Sequence, residues 1–301
     1  MADKSAVLVN APSNDTARSY AAWFVAAWIG LLLGGAFLRT LTGVAGSWFD
    51  DALNMEHGIF VPFAAAYMVW LKQDELKQLK ISPSRWGIAL VLAAAVMSLL
   101  STAAQWIWVN RIMFLAGLVG CIWAVCGFQY VRRLVYPLCT LLLMIAPPSF
   151  VNERVTLQLQ LLASRLGEVS LETLGFSVLR EGNILEMVGE KLAVAEACSG
   201  IRSLMALIFL AVIYNFFFVP ERRIRAILLA SVIPIAILCN AGRIVATGVV
   251  GQYNRELAHG MLHATFGYFG LGLGAVMLFG LHRLLNLLPS MGSKRHVSQS
   301  I

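Results

Sequence analysis

The sequence predicts an all-α polytopic membrane protein with about eight transmembrane helices. Hydrophobic residues fill 59% of the 301 positions and charged residues only 13%, whereas a soluble domain is about half apolar and about a quarter charged. Several apolar runs also reach the roughly 20 residues that a membrane helix needs. One aqueous core could not bury this much apolar surface, so we expect residues 1–301 to form a single integral membrane domain in a lipid bilayer.

Eight segments carry the apolar runs that predict these helices. In chain order they are Tyr20–Leu38, Gly58–Leu71, Trp86–Ala103, Ile107–Phe128, Leu134–Phe150, Ile201–Val219, Ala226–Val249 and Leu262–Leu281. The second is short unless it extends back over residues 55–57. The first run is too long for the apolar part of a signal peptide, and no A-x-A cleavage site follows it, so we expect it to be retained.

The basic residues predict the orientation of these spans. With the N-terminus inside, the cytoplasmic gaps hold fourteen Lys and Arg residues and the outer gaps hold seven, as the positive-inside rule requires. Both termini are therefore predicted to be cytoplasmic, and residues 151–197 to form an extracytoplasmic loop. The net charge of +7 reflects this topology. Because the basic residues form no stripe interleaved with aromatic residues, the pattern does not favour nucleic-acid binding.

The loop 151–197 divides into two parts. Apolar residues recur at helical steps over 152–174, which predicts an amphipathic helix that lies along the membrane surface or packs as an ordinary surface helix. Over 177–195, Gly182-Asn183 and Gly189 separate short apolar stretches. This pattern predicts one or two short strands, a β-hairpin-like segment that leads into Cys198.

Cys198 differs from the other cysteines. Four cysteines fall in apolar runs and are expected to pack as small hydrophobic residues: Cys121, Cys126, Cys139 and Cys239. Cys198 lies in the polar stretch AEACSGIRSL at the predicted outer end of a span, where a helix N-terminus would stabilise a thiolate. The spacing of Cys and His residues indicates no metal site, and no cofactor is predicted.

Two later spans place polar residues at the same predicted depth. Arg243 lies within the seventh span, where a charge is costly and indicates function, unless its side chain only reaches the outer headgroups. Asn240 is three residues earlier on the same helical face and could hold Arg243 or a carboxylate partner of it. His259 and His263 are four residues apart at the start of the last span. Either histidine could instead be interfacial and hydrogen-bonded to a loop.

The motifs ACSGIRS, N-x-x-R and H-x-x-x-G, each at its own span, together resemble those of the exosortase/archaeosortase family of membrane transpeptidases, and of the exosortase B type in particular. The resemblance places the family's cysteine at Cys198 and its arginine at Arg243. It places the histidine at His263, because Gly267 follows at the motif's spacing. His259 fits less well, since His263 occupies the position of the glycine.

The resemblance implies a mechanism and a class of substrate. Cys198 would attack a backbone carbonyl to form a thioester, His263 would pair with the thiolate or protonate the departing amine, and Arg243 would stabilise the oxyanion. The implied substrates are exported proteins with a C-terminal Pro-Glu-Pro motif, a membrane helix and a basic tail. Cleavage would occur at the periplasmic face of a bacterial inner membrane, with transfer to an acceptor or to water, and with or without a separate accessory protein.

Two charged neighbours of Cys198 have open roles. Arg202, one helical turn later, could hold an acidic group of the substrate, tune the thiolate, or form a structural pair with Glu196 or Glu190. Glu196 could orient His263 or Arg243, although a paired or solvated carboxylate is the more common case at an interface.

Two other classes of function also fit parts of the sequence. A polytopic transporter would explain the intramembrane arginine, but it predicts polar groups near the bilayer midplane. A non-catalytic membrane assembly component linked to exopolysaccharide production would need no nucleophile. Replacement of Cys198 distinguishes these functions from the enzyme.

Overall fold

A computed structural model describes most of the chain. The described residues are 35, 37–50, 55–187, 190–193, 201–254 and 261–287, with the backbone alone for 190–193 and 261–264. They belong to two compact units, each described separately below. The first unit contains the described residues up to Ala45 together with Val69–Leu138, and the second contains Gly46–Met68 and the described residues from Cys139 onward.

The described elements are mostly helical. The α-helices are α1 (Leu38–Trp48), α2 (Val61–Leu71), α3 (Gln73–Lys77), α4 (Arg85–Ala103), α5 (Ile107–Val125), α6 (Phe128–Arg133), α7 (Val135–Thr140), α8 (Ser149–Thr173), α9 (Ile201–Phe218), α10 (Arg222–Tyr253) and α11 (Met261–Leu287). Two 3₁₀ helices cover Glu56–Phe60 and Leu141–Met144, and three strands are β1 (Val178–Glu181), β2 (Ile184–Met187) and β3 (Glu190–Ala193).

The membrane class predicted from composition is confirmed. Five described helices are long and apolar enough to cross a bilayer, namely α4, α5, α9, α10 and most of α11, and a bent pair raises the number to six. The count of eight stays a prediction. The first predicted span, Tyr20–Leu38, lies almost entirely outside the described residues, and α2, in the second, has only 11 residues.

The predicted span Leu134–Phe150 is broken in the structure. The chain leaves α7 through the second 3₁₀ helix and bends by 82° before α8 begins. The break falls at Pro147-Pro148, where proline lacks an N–H donor and disfavours a helical residue before it. Ile145, two residues before Pro147, is already extended, with φ −99° and ψ 121°. Hydropathy continues through these prolines, but a straight helix cannot.

Helix α8 confirms the helix predicted over 152–174, and it ends in a glycine cap. Gly175 takes φ +90°, and the amide of Phe176 donates to the carbonyl of Leu171 at 3.0 Å, which is the Schellman arrangement. The strands that follow form one antiparallel sheet in the order β1-β2-β3. Gly182, with φ +66°, opens the two-residue turn between β1 and β2. The strands are confirmed, with one more than predicted.

Polar and apolar contacts fix the sheet on α8. The Ser164 hydroxyl donates to the carbonyl of Gly182 at 3.1 Å, and Arg180 Nε lies 2.6 Å from Glu168 Oε2. A buried cluster joins α8 and β2 to α10: Ala163, Leu171, Leu185, Met187 and Ile244. The α8 backbone approaches α10 closely at Gly167, where a Cβ atom would lie 2.8 Å from Ile244 Cγ2. The sheet, α8 and α10 therefore pack as one body.

The other core of the second unit lies between α9, α10 and α11. Its most buried members are Leu207, Ala211, Val219, Ile224, Leu228, Val232 and Leu278. Cys239 is buried here as predicted, Cys121 and Cys126 are half-buried, and Cys139 is exposed, contrary to the prediction for it. Cys139 lies on the exposed side of α7, whose residues Pro137 and Thr140 are buried.

The first unit is organised around the antiparallel pair α4 and α5. The two helices approach closely at glycines, where no side chain separates the backbones. A Cβ atom at Gly120 would lie 2.9 Å from Val91 Cγ2, and one at Gly87 would overlap the backbone of Ala124.

Candidate active site

Arg243 lies on α10 between the two packed cores of the second unit. It is half-buried, and the next residue, Ile244, is completely buried against α8 and the sheet. At 1.5 Å per residue, Arg243 is about 31 Å from the start of α10, which is about the thickness of the hydrocarbon core. Arg243 is therefore separated from the basic Arg222 end of α10 by about the thickness of a bilayer core.

The guanidinium of Arg243 faces α11 at Gly267. A Cβ atom at Gly267 would lie 3.6 Å from both Cζ and Nη1 of Arg243, so the planar group lies against bare backbone. His263 lies in the first turn of α11, four residues before Gly267. The backbone of α11 therefore carries His263 about one turn from the contact with Arg243. The structure thus joins two of the sequence motifs, N-x-x-R and H-x-x-x-G.

Asn240 occupies the turn of α10 before Arg243. Its side chain is 5% exposed, and its Oδ1 atom is buried without a hydrogen-bond partner among the described residues. A buried amide oxygen of this kind can accept a hydrogen bond from a donor that enters the site.

Cys198, Glu196 and His259 lie outside the described residues, but the segments that flank Cys198 are described. Strand β3 ends at Ala193 and contacts α10. Helix α9 begins at Ile201 and packs against α10 and α11. The chain on each side of Cys198 therefore contacts the helix that carries Arg243.

Arg202 has a partner that the sequence did not indicate. Its Nη1 atom lies 3.1 Å from Oε1 of Glu56, and both side chains are 48% exposed. The sequence offered Glu196 or Glu190 as the structural partner of Arg202. The partner in the structure is instead Glu56, which is far from Arg202 in the sequence. The two side chains meet because the 3₁₀ helix Glu56–Phe60 packs against α9.

His57 follows Glu56 and is buried in the same contact. Its ring centroid lies 6.0 Å from that of Phe209 on α9, and its Nε2 atom is buried without a hydrogen-bond partner among the described residues. None of the candidate membrane-spanning helices includes His57. Burial lowers the pKa of His57 below 6.5, and a hydrogen bond to the Leu143 backbone opposes this shift. Burial therefore favours the neutral form of the imidazole.

The 3₁₀ helix that carries Glu56 and His57 is itself held tightly. A Cβ atom at Gly58 would overlap the indole ring of Trp48, and Trp48 Nε1 donates to the Met144 carbonyl at 3.1 Å. Sequence reasoning treated this segment only as an extension of a short span. The signal that could have identified it is the adjacent charged and titratable pair Glu56-His57 at the start of an apolar run.

Arg243, the Glu56–Arg202 pair and His57 thus each contact one of the helices α9, α10 and α11, which pack against one another in the second unit. A family model described as transmembrane exosortase (Exosortase_EpsH) matches residues 48–280, more than half of the chain. The match includes the 3₁₀ helix, the cysteine motif and the two later motifs. Among curated proteins and among solved structures, none matches the chain.

Proposed function

The chain belongs to the transmembrane exosortase family. On this basis we propose that it is a membrane-embedded cysteine transpeptidase that acts on C-terminal sorting signals of the Pro-Glu-Pro type. Exosortases are transpeptidase-type sorting enzymes of the membrane. The substrates, the thioester intermediate, a bacterial inner-membrane location and a periplasmic active site belong to the proposal. So does the exosortase B type.

In the proposed reaction, the Cys198 thiolate attacks the scissile carbonyl carbon, and the bond to nitrogen breaks. His263 gives its proton to the departing amine, which leaves with the membrane tail of the substrate. The acyl group stays on Cys198 as a thioester. An acceptor amine or water then attacks this thioester and restores the thiolate, and His263 takes up the proton that the acceptor loses.

Arg243 is the proposed oxyanion donor. Its contact with Gly267 is the observation that carries the proposal, because Gly267 is the glycine of the H-x-x-x-G motif to which His263 belongs. A guanidinium fixed in a half-buried position needs no reorganisation when negative charge develops on the carbonyl oxygen. One such donor contributes about 2.7–4 kcal/mol to transition-state stabilisation in other enzymes. Asn240 is proposed to hold Arg243 or a substrate group from the preceding turn.

Arg202 is proposed to position Cys198 rather than to bind the substrate. The Glu56 carboxylate at 3.1 Å already neutralises the guanidinium, so Arg202 offers less attraction to an acidic group of the substrate. A half-exposed pair of this kind contributes only about 0.2–1 kcal/mol to stability. The pair is proposed to act by fixing the position of the first turn of α9, since Cys198 lies four residues before Arg202. Glu196 and His259 keep supporting roles in the proposal.

Co-expression with a reporter tests this function. The reporter is an exported protein that ends in a Pro-Glu-Pro motif, a membrane helix and a basic tail, and its new C-terminus is read by mass spectrometry. Cys198→Ala is expected to abolish processing at unchanged expression. Cys139→Ala is the matched control, because this exposed cysteine lies outside the proposed site. Processing by the Cys198→Ala variant would favour a transporter or a non-catalytic assembly component instead.

A further inference from the structure

The first unit contains a cationic cavity that the proposed reaction does not use. The cavity has a volume of about 300 Å³ and lies between α1 and the loop that joins α4 to α5. Two arginines, Arg39 and Arg111, line it, and none of its nine lining residues, all within the described part of the chain, is acidic. A concave site with two guanidinium groups and no carboxylate has the electrostatics of an anion site.

Arg111 contributes most to this argument, because it lies within the candidate span α5. A charge there is costly unless it has partners. Among the described residues, Arg111 donates one hydrogen bond, from Nη2 to the carbonyl of Gly43 at 3.0 Å. A guanidinium has five N–H donors, so most of its capacity remains for a group inside the cavity.

The polar wall of the cavity is fixed around Asn110. Its Oδ1 atom accepts from Thr40 at 3.1 Å and from Ser98 at 2.9 Å. Its Nδ2 atom donates to the Thr102 hydroxyl at 2.8 Å. Asn110 therefore joins α1, α4 and α5, and the two arginines project from a rigid frame.

The loop of the cavity also holds an unfavourable backbone conformation. Gln105 is the non-glycine residue with positive φ, at +58°, among the residues that the structure describes. A left-handed conformation costs about 1–2 kcal/mol for such a residue. The Gln105 side chain donates to the Thr102 carbonyl at 3.0 Å, which helps to hold the loop. Backbone strain of this kind clusters at binding sites.

The location of the cavity identifies the class of anion. The loop joins two candidate spans, Arg85–Ala103 and Ile107–Val125, so it lies at headgroup level. Trp106 and Trp108, which flank the start of α5, are 62% and 42% exposed, as expected for aromatic rings at a membrane interface. The anions concentrated at this level are lipid phosphates, and basic pockets between membrane helices bind such headgroups.

We propose that the cavity lined by Arg39 and Arg111 binds the phosphate group of a phospholipid headgroup. The two guanidinium groups pair with the phosphate oxygens, and Ser101, Thr102 and Gln105 line the remaining wall. The volume is at the lower end of the range for small-ligand sites, about 300–1,000 Å³, and suits a headgroup whose acyl chains stay outside in the bilayer. The site is independent of the proposed transpeptidase activity.

Native mass spectrometry and thermal unfolding of the full-length protein in an uncharged detergent test this proposal. The probes are short-chain phosphatidylglycerol, the matching diacylglycerol without phosphate, and inorganic phosphate. We expect phosphatidylglycerol to bind and to raise the unfolding temperature, and diacylglycerol to do neither. Arg39→Gln and Arg111→Gln are each expected to weaken binding by about tenfold or more, the effect of one charge-assisted hydrogen bond.

Arg85→Gln is the matched control, because Arg85 is an exposed arginine at the opposite end of α4. It should bind the lipid as the natural protein does. If Arg111→Gln fails to fold, Arg39→Gln and the conservative variant Arg111→Lys still decide the question. Equal binding by Arg39→Gln and the natural protein would overturn the site. Equal affinity for inorganic phosphate and for phosphatidylglycerol would overturn the assignment to a lipid.

Discussion

The guanidinium group of Arg243 lies against the bare backbone of Gly267, with 3.6 Å between Cζ and the position that a Cβ atom would take. This contact gives a physical reason for the glycine in H-x-x-x-G. The motif spaces His263 one turn from the point where α11 receives an arginine of α10. A large side chain at Gly267 would occupy the place of the guanidinium.

Substitution of Gly267 should therefore have a graded effect. An alanine Cβ at 3.6 Å makes ordinary van der Waals contact, so Gly267→Ala should keep most of the reporter processing. Gly267→Leu should displace Arg243 and lower kcat/KM by about 10²–10³, the effect of losing one oxyanion donor. Gly272→Leu is the control, since nothing lies within 4 Å of a Cβ atom there. Equal activity of Gly267→Leu and Gly272→Leu would contradict the role of the contact.

The Glu56–Arg202 pair predicts a rescue by charge exchange. Glu56→Arg and Arg202→Glu should each lower reporter processing several-fold, while the free energy of unfolding changes by no more than about 1 kcal/mol. The double variant should recover processing, because it restores an ion pair of opposite orientation. Alkylation of Cys198, followed by peptide mass spectrometry, reports its reactivity without the substrate. Asp74→Asn breaks the exposed Lys77–Asp74 pair and is the control.

A double variant as impaired as the worse single variant would show that Arg202 and Glu56 act separately. If alkylation of Cys198 responds to the exchange but no reporter is processed by any form, the positioning role stands and the proposed substrate is wrong. The two measurements thus separate the role of the pair from the identity of the reaction.

The close approach at Gly167 predicts a loss of stability. A Cβ atom there would lie 2.8 Å from Ile244 Cγ2, and Ile244 is fully buried. Gly167→Ala should lower the free energy of unfolding by about 1–3 kcal/mol through overpacking. Gly280→Ala, which meets open space, should be neutral or slightly stabilising, because alanine favours the helix. Unfolding in detergent measures both variants, and equal stability would contradict the packing of α8 on α10.

His57 predicts how stability depends on pH. Burial lowers its folded-state pKa below the ordinary value of 6.5, so the unfolded chain binds a proton more readily than the folded one. The contribution of neutral His57 to the free energy of unfolding is therefore present above pH 6.5. It is lost as the pH falls through the folded-state pKa. His57→Gln should therefore show a smaller loss of unfolding temperature than the natural protein between about pH 7.5 and about pH 5.5. Identical slopes would show that His57 does not titrate with folding.

The sequence predicted the membrane class, the amphipathic helix of the 151–197 loop and the strands after it, because these depend on composition and short-range periodicity. It could not predict the Glu56–Arg202 pair, since nothing in the local pattern indicates which distant carboxylate a folded chain brings to an arginine. The break at Pro147-Pro148 was visible in the sequence but outweighed by hydropathy. The sequence also could not predict the contact of Arg243 with Gly267, although both residues belong to the motifs, because the contact depends on how α10 and α11 pack.

The central claim is that Cys198 carries the acyl group of the substrate. Its most direct test is mass spectrometry of the enzyme after brief incubation with the Pro-Glu-Pro reporter and acid quenching. The account predicts a Cys198 peptide joined to the new C-terminus of the reporter through a hydroxylamine-labile thioester. An acyl group on another residue, or reporter cleavage by a Cys198→Ala variant, would contradict it.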